Sequence, residues 1–233
     1  MRDLALLLAL AACSPGGAAP QGARVAEREA MVAQQIEARG VRDPRLLAAL
    51  RKVERHAFVP AEAALGAYGD HPLPIGHGQT ISQPYIVAFM TEALRLRGGE
   101  TVLEVGTGSG YQAAVLGELA GQVYTIEIVE PLARQAGALL QRLGYANVHV
   151  RAGDGYAGWP EAAPFDAIMV TAAAPRVPEP LKQQLKDGGR LILPVGDEWQ
   201  ELLLVARHGQ RFEEQRVLPV RFVPMTGKVR EVP

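Results

Sequence analysis

The chain has 233 residues, of which 48% are hydrophobic and 21% charged, so it can bury the core of one domain but not of two full ones. Because 24 Lys and Arg stand against 25 Asp and Glu, the net charge of −1 argues against a protein that binds nucleic acid through its phosphates. A single cysteine and five histidines without metal-ligand spacing exclude a disulfide scaffold and a zinc module, and we expect no metal.

The first residues form a segment that we set apart from the fold. Residues 1–12 combine one basic side chain with a short apolar run, and Cys13 follows, before a stretch rich in Gly, Pro and Ala. This pattern resembles a secretory signal with a bacterial lipobox, in which Cys13 would carry the lipid. The alternative is an extension without function. We therefore exclude residues 1–24 from the fold and expect residues 25–233 to form a single domain.

The N-terminal part is predicted to be helical. A first helix begins near Val25, where apolar residues recur at helical spacing, and ends at Gly40. A second helix has Asp43 as candidate N-cap and Pro44 at its first helical position. The helical structure is expected to end at residues 58–60.

A loop is expected next, at residues 68–84, because this stretch is rich in Gly, Pro and His. Its polar side chains could contact a ligand. A third helix is predicted at residues 84–96. Residues 25–97 would therefore be a helical part that carries this loop, in front of a sheet in residues 98–233.

In that last part, short apolar runs alternate with helical patterns. Strands are predicted at residues 101–105, 123–126, 148–150, 167–170 and 191–193, and helices at residues 111–119, 131–143 and 179–185. Such alternation is typical of a parallel sheet with helices on both faces. Residues 202–206 and 217–222 add strands that are expected to be antiparallel. The predicted fold class is doubly wound α/β, with a helical N-terminal extension.

A glycine-rich turn follows the first strand of this sheet. Gly106, Gly108 and Gly110 alternate with other residues, so that backbone amides can approach a ligand at the start of a helix. A dinucleotide fingerprint that starts at Gly106 requires glycine five positions later, where this chain has Tyr111. Taken alone, the turn is equally compatible with tight packing of the helix on the sheet.

Acidic residues stand at the ends of three successive strands. Glu104 precedes the glycines, Glu127 follows the second strand, and Asp154 with Gly155 follows the third. Glu127 could accept both ribose hydroxyls of a nucleoside, and Asp154 could accept an adenine amino group. Each acid alone is more often a capping or solvated residue. Together, and without a pyrophosphate fingerprint, they favour S-adenosylmethionine over NAD, because the sulfonium cofactor has no phosphate to bind.

Several segments resemble one known family. They are L-P-I-G-H-G-Q-T-I-S-Q-P at residues 73–84, V-L-E-V-G-T-G-S-G-Y-Q at residues 102–112, and residues 87–90, 153–155, 164–172, 188–196 and 221–224. The pattern is similar to that of protein-L-isoaspartate (D-aspartate) O-methyltransferases over about residues 27–226, and residues 78–84 are its specific part. The resemblance implies a class I methyltransferase fold.

The activity that this resemblance implies is transfer of a methyl group from S-adenosylmethionine to the α-carboxyl of L-isoaspartyl residues, with D-aspartyl residues as a further class. The ester in damaged proteins then closes to a succinimide that can reopen to aspartate. Because a carboxylate is already ionised at pH 7, neither a general base nor a metal is expected.

The resemblance also assigns site residues. Ser82 is the active-site position, and it should orient the carboxylate and not act as a nucleophile; alternatively or additionally it caps the helix that begins at Pro84. The cofactor positions are Glu104, Gly106, Gly108, Gly110, Glu127, Asp154 and Gly155. The candidate substrate contacts are His77, Gln79, Thr80, Ile81 and Thr226.

Two functions of other classes stay open from the residues alone. A nicotinamide-dependent oxidoreductase would use the same sheet, although Tyr111 counts against it. A membrane-tethered binding protein without activity would follow from Cys13, although suitable residues fill every cofactor position. Since members of the family are typically cytoplasmic and the cofactor is made there, we favour the cytoplasm over an exported lipoprotein. We expect a monomer without nucleic acid or an obligate protein partner.

Overall fold

The structure is a computed structural model, and it describes residues 24–232. The export segment suggested by the sequence, with Cys13, lies outside the described residues. Within them, no helix is long and apolar enough to cross a membrane.

The N-terminal part begins with one helical run that changes its hydrogen-bonding pattern twice. Helix α1 (Val25–Ala30) continues as a π-helix (Met31–Ile36) and then as a 3-10 turn (Glu37–Arg39). At Gly40 the backbone has a φ of 101°, a left-handed conformation that favours glycine, and the run ends there as predicted.

Helix α2 (Pro44–Lys52) begins at the predicted N-cap. The Asp43 side chain accepts hydrogen bonds from the backbone amides of Arg45 at 2.9 Å and Leu46 at 3.4 Å. Two 3-10 turns then follow, Arg55–Phe58 and Ala61–Gly66. Helical structure therefore continues past residue 60, where the prediction ended it, because a single short turn is too brief to show a period in the sequence.

The expected loop at residues 68–84 is wrong in part, because it contains a hairpin. Strand β1 (Leu73–Gly76) pairs antiparallel with β2 (Gln79–Ile81). The two residues between them, His77 and Gly78, have φ angles of 52° and 70°. This is the left-handed pair that a type I′ turn needs, where Asn-Gly or Asp-Gly is usual. Because histidine occupies the first position of this turn, the sequence does not predict the hairpin.

The rest of the chain forms a seven-stranded sheet in the order β5-β4-β3-β6-β7-β8-β9. Its strands are β3 (Thr101–Val105), β4 (Gln122–Glu127), β5 (Val148–Ala152), β6 (Phe165–Val170), β7 (Leu185–Val195), β8 (Gln200–His208) and β9 (Arg211–Val220). The strands β3 to β7 are parallel, and β8 and β9 pair antiparallel as predicted. The doubly wound α/β class is confirmed. The strand order reverses between β3 and β6, which is where such sheets bind ligands.

Helices cover both faces of this sheet. They are α3 (Pro84–Ala93), α4 (Tyr111–Gly117), α5 (Glu130–Arg142) and α6 (Glu179–Gln183). Because neighbouring side chains on a strand point to opposite faces, Val102 of β3 packs in the cluster with the N-terminal helices, α3 and α4. Leu103 packs in the other cluster, with Leu181 of α6. Both faces of β3 are thus covered, and a site can lie only at its carboxyl end.

Candidate active site

The glycine turn between β3 and α4 has a left-handed backbone at all three glycines. The φ angles are 101° at Gly106, 52° at Gly108 and 89° at Gly110. A Cβ atom at Gly106 would lie 2.2 Å from Oγ1 of Thr171, so a side chain does not fit there. The Gly106 amide donates to the carbonyl of Ile126 at 2.8 Å, which fixes the turn to strand β4.

Glu127 closes the same turn from β4, whose last residue it is. One carboxylate oxygen accepts from the amide of Gly108 at 2.8 Å, and the other accepts from the amide of Val129 at 2.9 Å. The residue is buried. Because each carboxylate oxygen has a further lone pair, Glu127 can still accept hydrogen bonds from a ligand.

A cavity opens at the carboxyl ends of β3, β4 and β6. Its walls bring together these predicted residues: Gln79, Thr80, Gly106, Gly108, Glu127, Gly155 and Thr226. Within the described part of the chain, Glu127 is the one charged residue among its walls, and no Lys or Arg lines it.

Asp154 does not line this cavity, although Gly155 beside it does. One oxygen of Asp154 accepts from the amide of Tyr156 at 2.9 Å, and the other accepts from the amide of Lys228 at 2.7 Å. The carboxylate therefore ties the 3-10 turn after β5 to the C-terminal segment that carries Thr226. Both elements border the cavity, so Asp154 stabilises the shape of the cavity without lining it.

Glu104 is fully buried and lies outside the cavity walls. Its Oε2 accepts from Oγ1 of Thr125 at 2.5 Å, and Thr125 in turn lies 2.6 Å from Oγ1 of Thr107 in the glycine turn. Burial raises the pKa of Glu104 to about 8. The structure thus places Glu104 as a support beneath the turn, and does not bring it to the surface that a cofactor would touch. Gly110, which packs against Leu140, is likewise outside the walls.

A second depression, here called the substrate groove, adjoins the cavity. Thr80, Thr171, Val223 and Pro224 line both of them. Ser82 lines the groove. The two spaces therefore share one wall.

The expectation that Ser82 caps α3 is wrong. With Pro84 at the first helical position, the N-cap is Gln83, and its side chain makes no capping bond. Among the hydrogen bonds within residues 24–232, none uses the Ser82 hydroxyl. That hydroxyl is therefore available to a ligand in the groove.

The predicted substrate contacts in the hairpin differ in whether they line the cavity. In β2, Gln79 and Thr80 line the cavity, whereas Ile81 is buried in the core. His77 is exposed in the turn and lines neither the cavity nor the substrate groove. Ile81 and His77 are not brought to the walls.

Sequence reasoning missed Arg55, whose side chain is fully buried. Its Nε donates to the carbonyl of Ala67 at 2.8 Å, and its Nη2 donates to the carbonyl of Ser82 at 2.7 Å. The guanidinium also lies 5.0 Å from the ring centre of Tyr111, the first residue of α4. Arg55 thus joins the Ser82 segment to the glycine turn. The only sequence signal is its place before the apolar residues 57–59.

The comparison with known proteins decides the family. Residues 26–230 match the model of protein-L-isoaspartate(D-aspartate) O-methyltransferases. The protein-L-isoaspartate O-methyltransferase of Opitutus terrae is 57% identical over 225 residues, which cover 96% of this chain and 97% of that one. The chain belongs to this methyltransferase family. The resemblance identified in the sequence is confirmed, and the oxidoreductase alternative is set aside.

Other relatives agree. The enzyme of the same name from Anaeromyxobacter dehalogenans is 61% identical over 191 residues, or 80% of this chain and 91% of the relative. A solved protein-L-isoaspartate O-methyltransferase superposes with a TM-score of 0.81 at 31% identity, over 87% of this chain and 67% of that chain. A Plasmodium falciparum structure assigned to the same enzyme has a TM-score of 0.75 at 25% identity, over 85% of this chain and 98% of its own, and contains S-adenosyl-L-homocysteine.

Arg55→Lys tests the buried guanidinium. Lysine keeps the charge, but its single nitrogen does not reproduce the planar fork that bonds both carbonyls. We expect the free energy of unfolding in urea to fall by about 1–3 kcal/mol, the cost of one buried carbonyl without a partner. Arg51→Lys, at a surface residue paired with Glu29 and Glu37, should change it by less than about 0.5 kcal/mol. Equal stability of Arg55→Lys and wild type would contradict this role.

Glu104 makes stability depend on pH. Its pKa rises from 4.5 to about 8 on folding, so the folded state binds the proton more tightly than the unfolded state. The free energy of unfolding should therefore fall as pH increases through this interval, by roughly 1.4 kcal/mol per pKa unit. Glu104→Gln has no such proton and should give a flatter profile in urea unfolding measured across the interval. Parallel profiles for the variant and the wild type would show that Glu104 does not titrate in this way.

Proposed function

We propose that the cavity holds S-adenosylmethionine, and that the substrate groove holds the isoaspartyl residue whose α-carboxyl is methylated. The observation that carries this arrangement is the shared wall. Thr80, Thr171, Val223 and Pro224 border both spaces, so a group bound in one lies next to a group bound in the other. Such placement converts an encounter of two reactants into a reaction within one complex.

The cavity suits this cofactor by its charge. A cavity without Lys or Arg among its described walls, and with the carboxylate of Glu127, favours a cationic nucleoside over one that carries phosphates. When bound, S-adenosylmethionine supplies a methyl group already activated by the sulfonium. Glu127 would accept ribose hydroxyls, and Gly155 would border the adenine end. The turn with Gly106 and Gly108 lets the backbone pass close to the cofactor.

Two acids and one glycine of the predicted set act indirectly in this proposal. Asp154 holds the two segments that border the cavity together. Glu104 supports the turn through Thr125 and Thr107. Gly110 leaves room for the packing of α5 against the start of α4.

Ser82 is the residue that we propose to orient the substrate. Its hydroxyl can donate a hydrogen bond to one carboxylate oxygen, which leaves the other oxygen to attack the methyl carbon. The α-carboxylate is ionised at neutral pH, so no side chain needs to remove a proton. Arg55 fixes the Ser82 carbonyl and so limits the positions that the hydroxyl can take.

We further propose that the substrates are damaged proteins and that the chain acts as a cytoplasmic monomer. Cofactor supply favours the cytoplasm, and helices of the same chain cover both faces of the sheet. Sedimentation of the full chain and fractionation of cells test these two points. A lipidated Cys13 recovered with membranes would instead support the exported lipoprotein.

The activity is tested with the full chain, labelled S-adenosylmethionine and two peptides that differ only in an isoaspartyl or aspartyl residue. We expect base-labile label on the isoaspartyl peptide alone. Cofactor binding without transfer to either peptide would refute the proposed reaction.

Ser82→Ala should lower kcat/KM for the isoaspartyl peptide by about 10- to 100-fold, since a hydrogen bond to a charged group contributes roughly 1.5–3 kcal/mol. Cofactor affinity, measured by calorimetry, should stay near that of the wild type. Ser82→Thr retains the hydroxyl and should recover most of the lost activity. Loss of cofactor binding in Ser82→Ala would argue against a role in orienting the substrate.

Glu127→Gln should weaken the binding of S-adenosylhomocysteine by about 10- to 100-fold in calorimetry. The amide has one acceptor oxygen, so its NH₂ group would face the backbone N–H of either Gly108 or Val129. Glu130→Gln is the matched control, because Glu130 is exposed on α5 and pairs with Arg134. An affinity of Glu127→Gln equal to that of the control would remove Glu127 from the cofactor site.

A further inference from the structure

The substrate groove carries one charged side chain, that of Arg221, among the described residues that line it. Most of the other lining residues are apolar: Pro72, Ile86, Pro219, Val220, Phe222 and Val223. No Asp or Glu from this part of the chain lines the groove. A carboxylate that enters it therefore meets a cation and no neighbouring acid of the wall.

The backbone is held directly after Arg221. The side chain of Gln200 accepts from the amide of Phe222 at 2.6 Å and donates to its carbonyl at 3.1 Å. One residue on, the carbonyl of Val223 accepts from the amide of Ala173 at 2.8 Å. The backbone at the end of β9 is thus held, so the fold sets the point from which the Arg221 side chain extends.

The guanidinium itself has no hydrogen bond or ion pair within residues 24–232. Two arginines near the same edge of the sheet differ in this respect. Arg216 pairs with Glu201, and Arg230 pairs with Asp197. Arg221 is exposed, so its cation is available to a partner from outside the chain.

The proposed function assigns the reacting carboxylate to Ser82, so the partner of Arg221 would be a second carboxylate of the peptide. The reacting group has to reach the wall shared by the cavity and the groove, which Thr80 and Thr171 form with Val223 and Pro224. Arg221, like Ser82, lines the groove and not the cavity. An arginine side chain reaches about two residues along an extended peptide, at roughly 3.3 Å per residue.

We propose that Arg221 binds a side-chain carboxylate that flanks the isoaspartyl residue, so that this chain prefers damaged sites in acidic segments. The inference rests on the proposed function, because it needs the peptide to lie in the groove. It assigns to Arg221 a specificity that leaves the reacting carboxylate to Ser82.

The experiment compares isoaspartyl peptides that are identical except for Glu, Gln or Lys within two residues of the isoaspartyl position, on either side. For the wild type at low salt we expect kcat/KM to be about twofold to fivefold higher with Glu than with Gln, mainly through KM, as for an exposed ion pair. Added salt should reduce this ratio. Arg221→Gln should bring the ratio close to one, and Arg221→Glu should make the Lys peptide the better substrate.

Arg211→Gln is the matched control, because Arg211 is exposed at the other end of β9 and outside the groove. It should keep the wild-type ratio. Equal kcat/KM for the Glu and Gln peptides in the wild type, or an unchanged ratio in Arg221→Gln, would overturn the role of Arg221 while the proposed function stands. Failure of the wild type to methylate any of the peptides would overturn both.

Discussion

The buried guanidinium of Arg55 is the contact on which the relation between the two halves of the site depends. A charge without water is costly in a protein interior, unless its donors find acceptors. Two of the Arg55 donors bond to the carbonyls of Ala67 and Ser82, and its guanidinium carbon lies over the ring of Tyr111. The carbonyl groups belong to the segment that leads to Ser82 in the substrate groove, and the ring belongs to the helix that follows the glycine turn. The Arg55 side chain therefore sets the distance between Ser82 and the glycine turn.

Glu127 and Asp154 use their charge in a similar way, because both bond to backbone amides. Glu127 joins the glycine turn to the residues after β4, and Asp154 joins the turn after β5 to the C-terminal segment. The walls that would receive a cofactor are therefore already in place before it binds. Catalysis by positioning requires this kind of preparation, since the protein has no bond of its own to make.

The sheet could be predicted because its strands are apolar runs that end in glycines or acids, and the Asp43 cap because its signal is local. The hairpin could not be predicted, since His77 adopts a left-handed φ of 52°, which is uncommon for a residue other than glycine. The position of Glu104 was also beyond the sequence. Alternation along β3 places Glu104 on the same face as Val102. Whether that face is buried at position 104 depends on how other elements pack against it, which the sequence does not show. For Arg55, the partners come from residues 67 and 82, and no local pattern links them.

The charges of the two spaces are opposite, and the wall between them is neutral. The cavity has Glu127, the groove has Arg221, and Thr80, Thr171, Val223 and Pro224 separate them. This distribution suits a cationic cofactor on one side and an anionic peptide on the other. When a carboxylate takes a methyl group from a sulfonium, opposite charges disappear into a neutral ester and a neutral thioether. A weakly polar wall at the meeting point stabilises that loss of charge relative to the separated ions, since it solvates the ions less well than water does. The placement of the charged residues away from the shared wall is therefore as much part of the site as the residues that touch it.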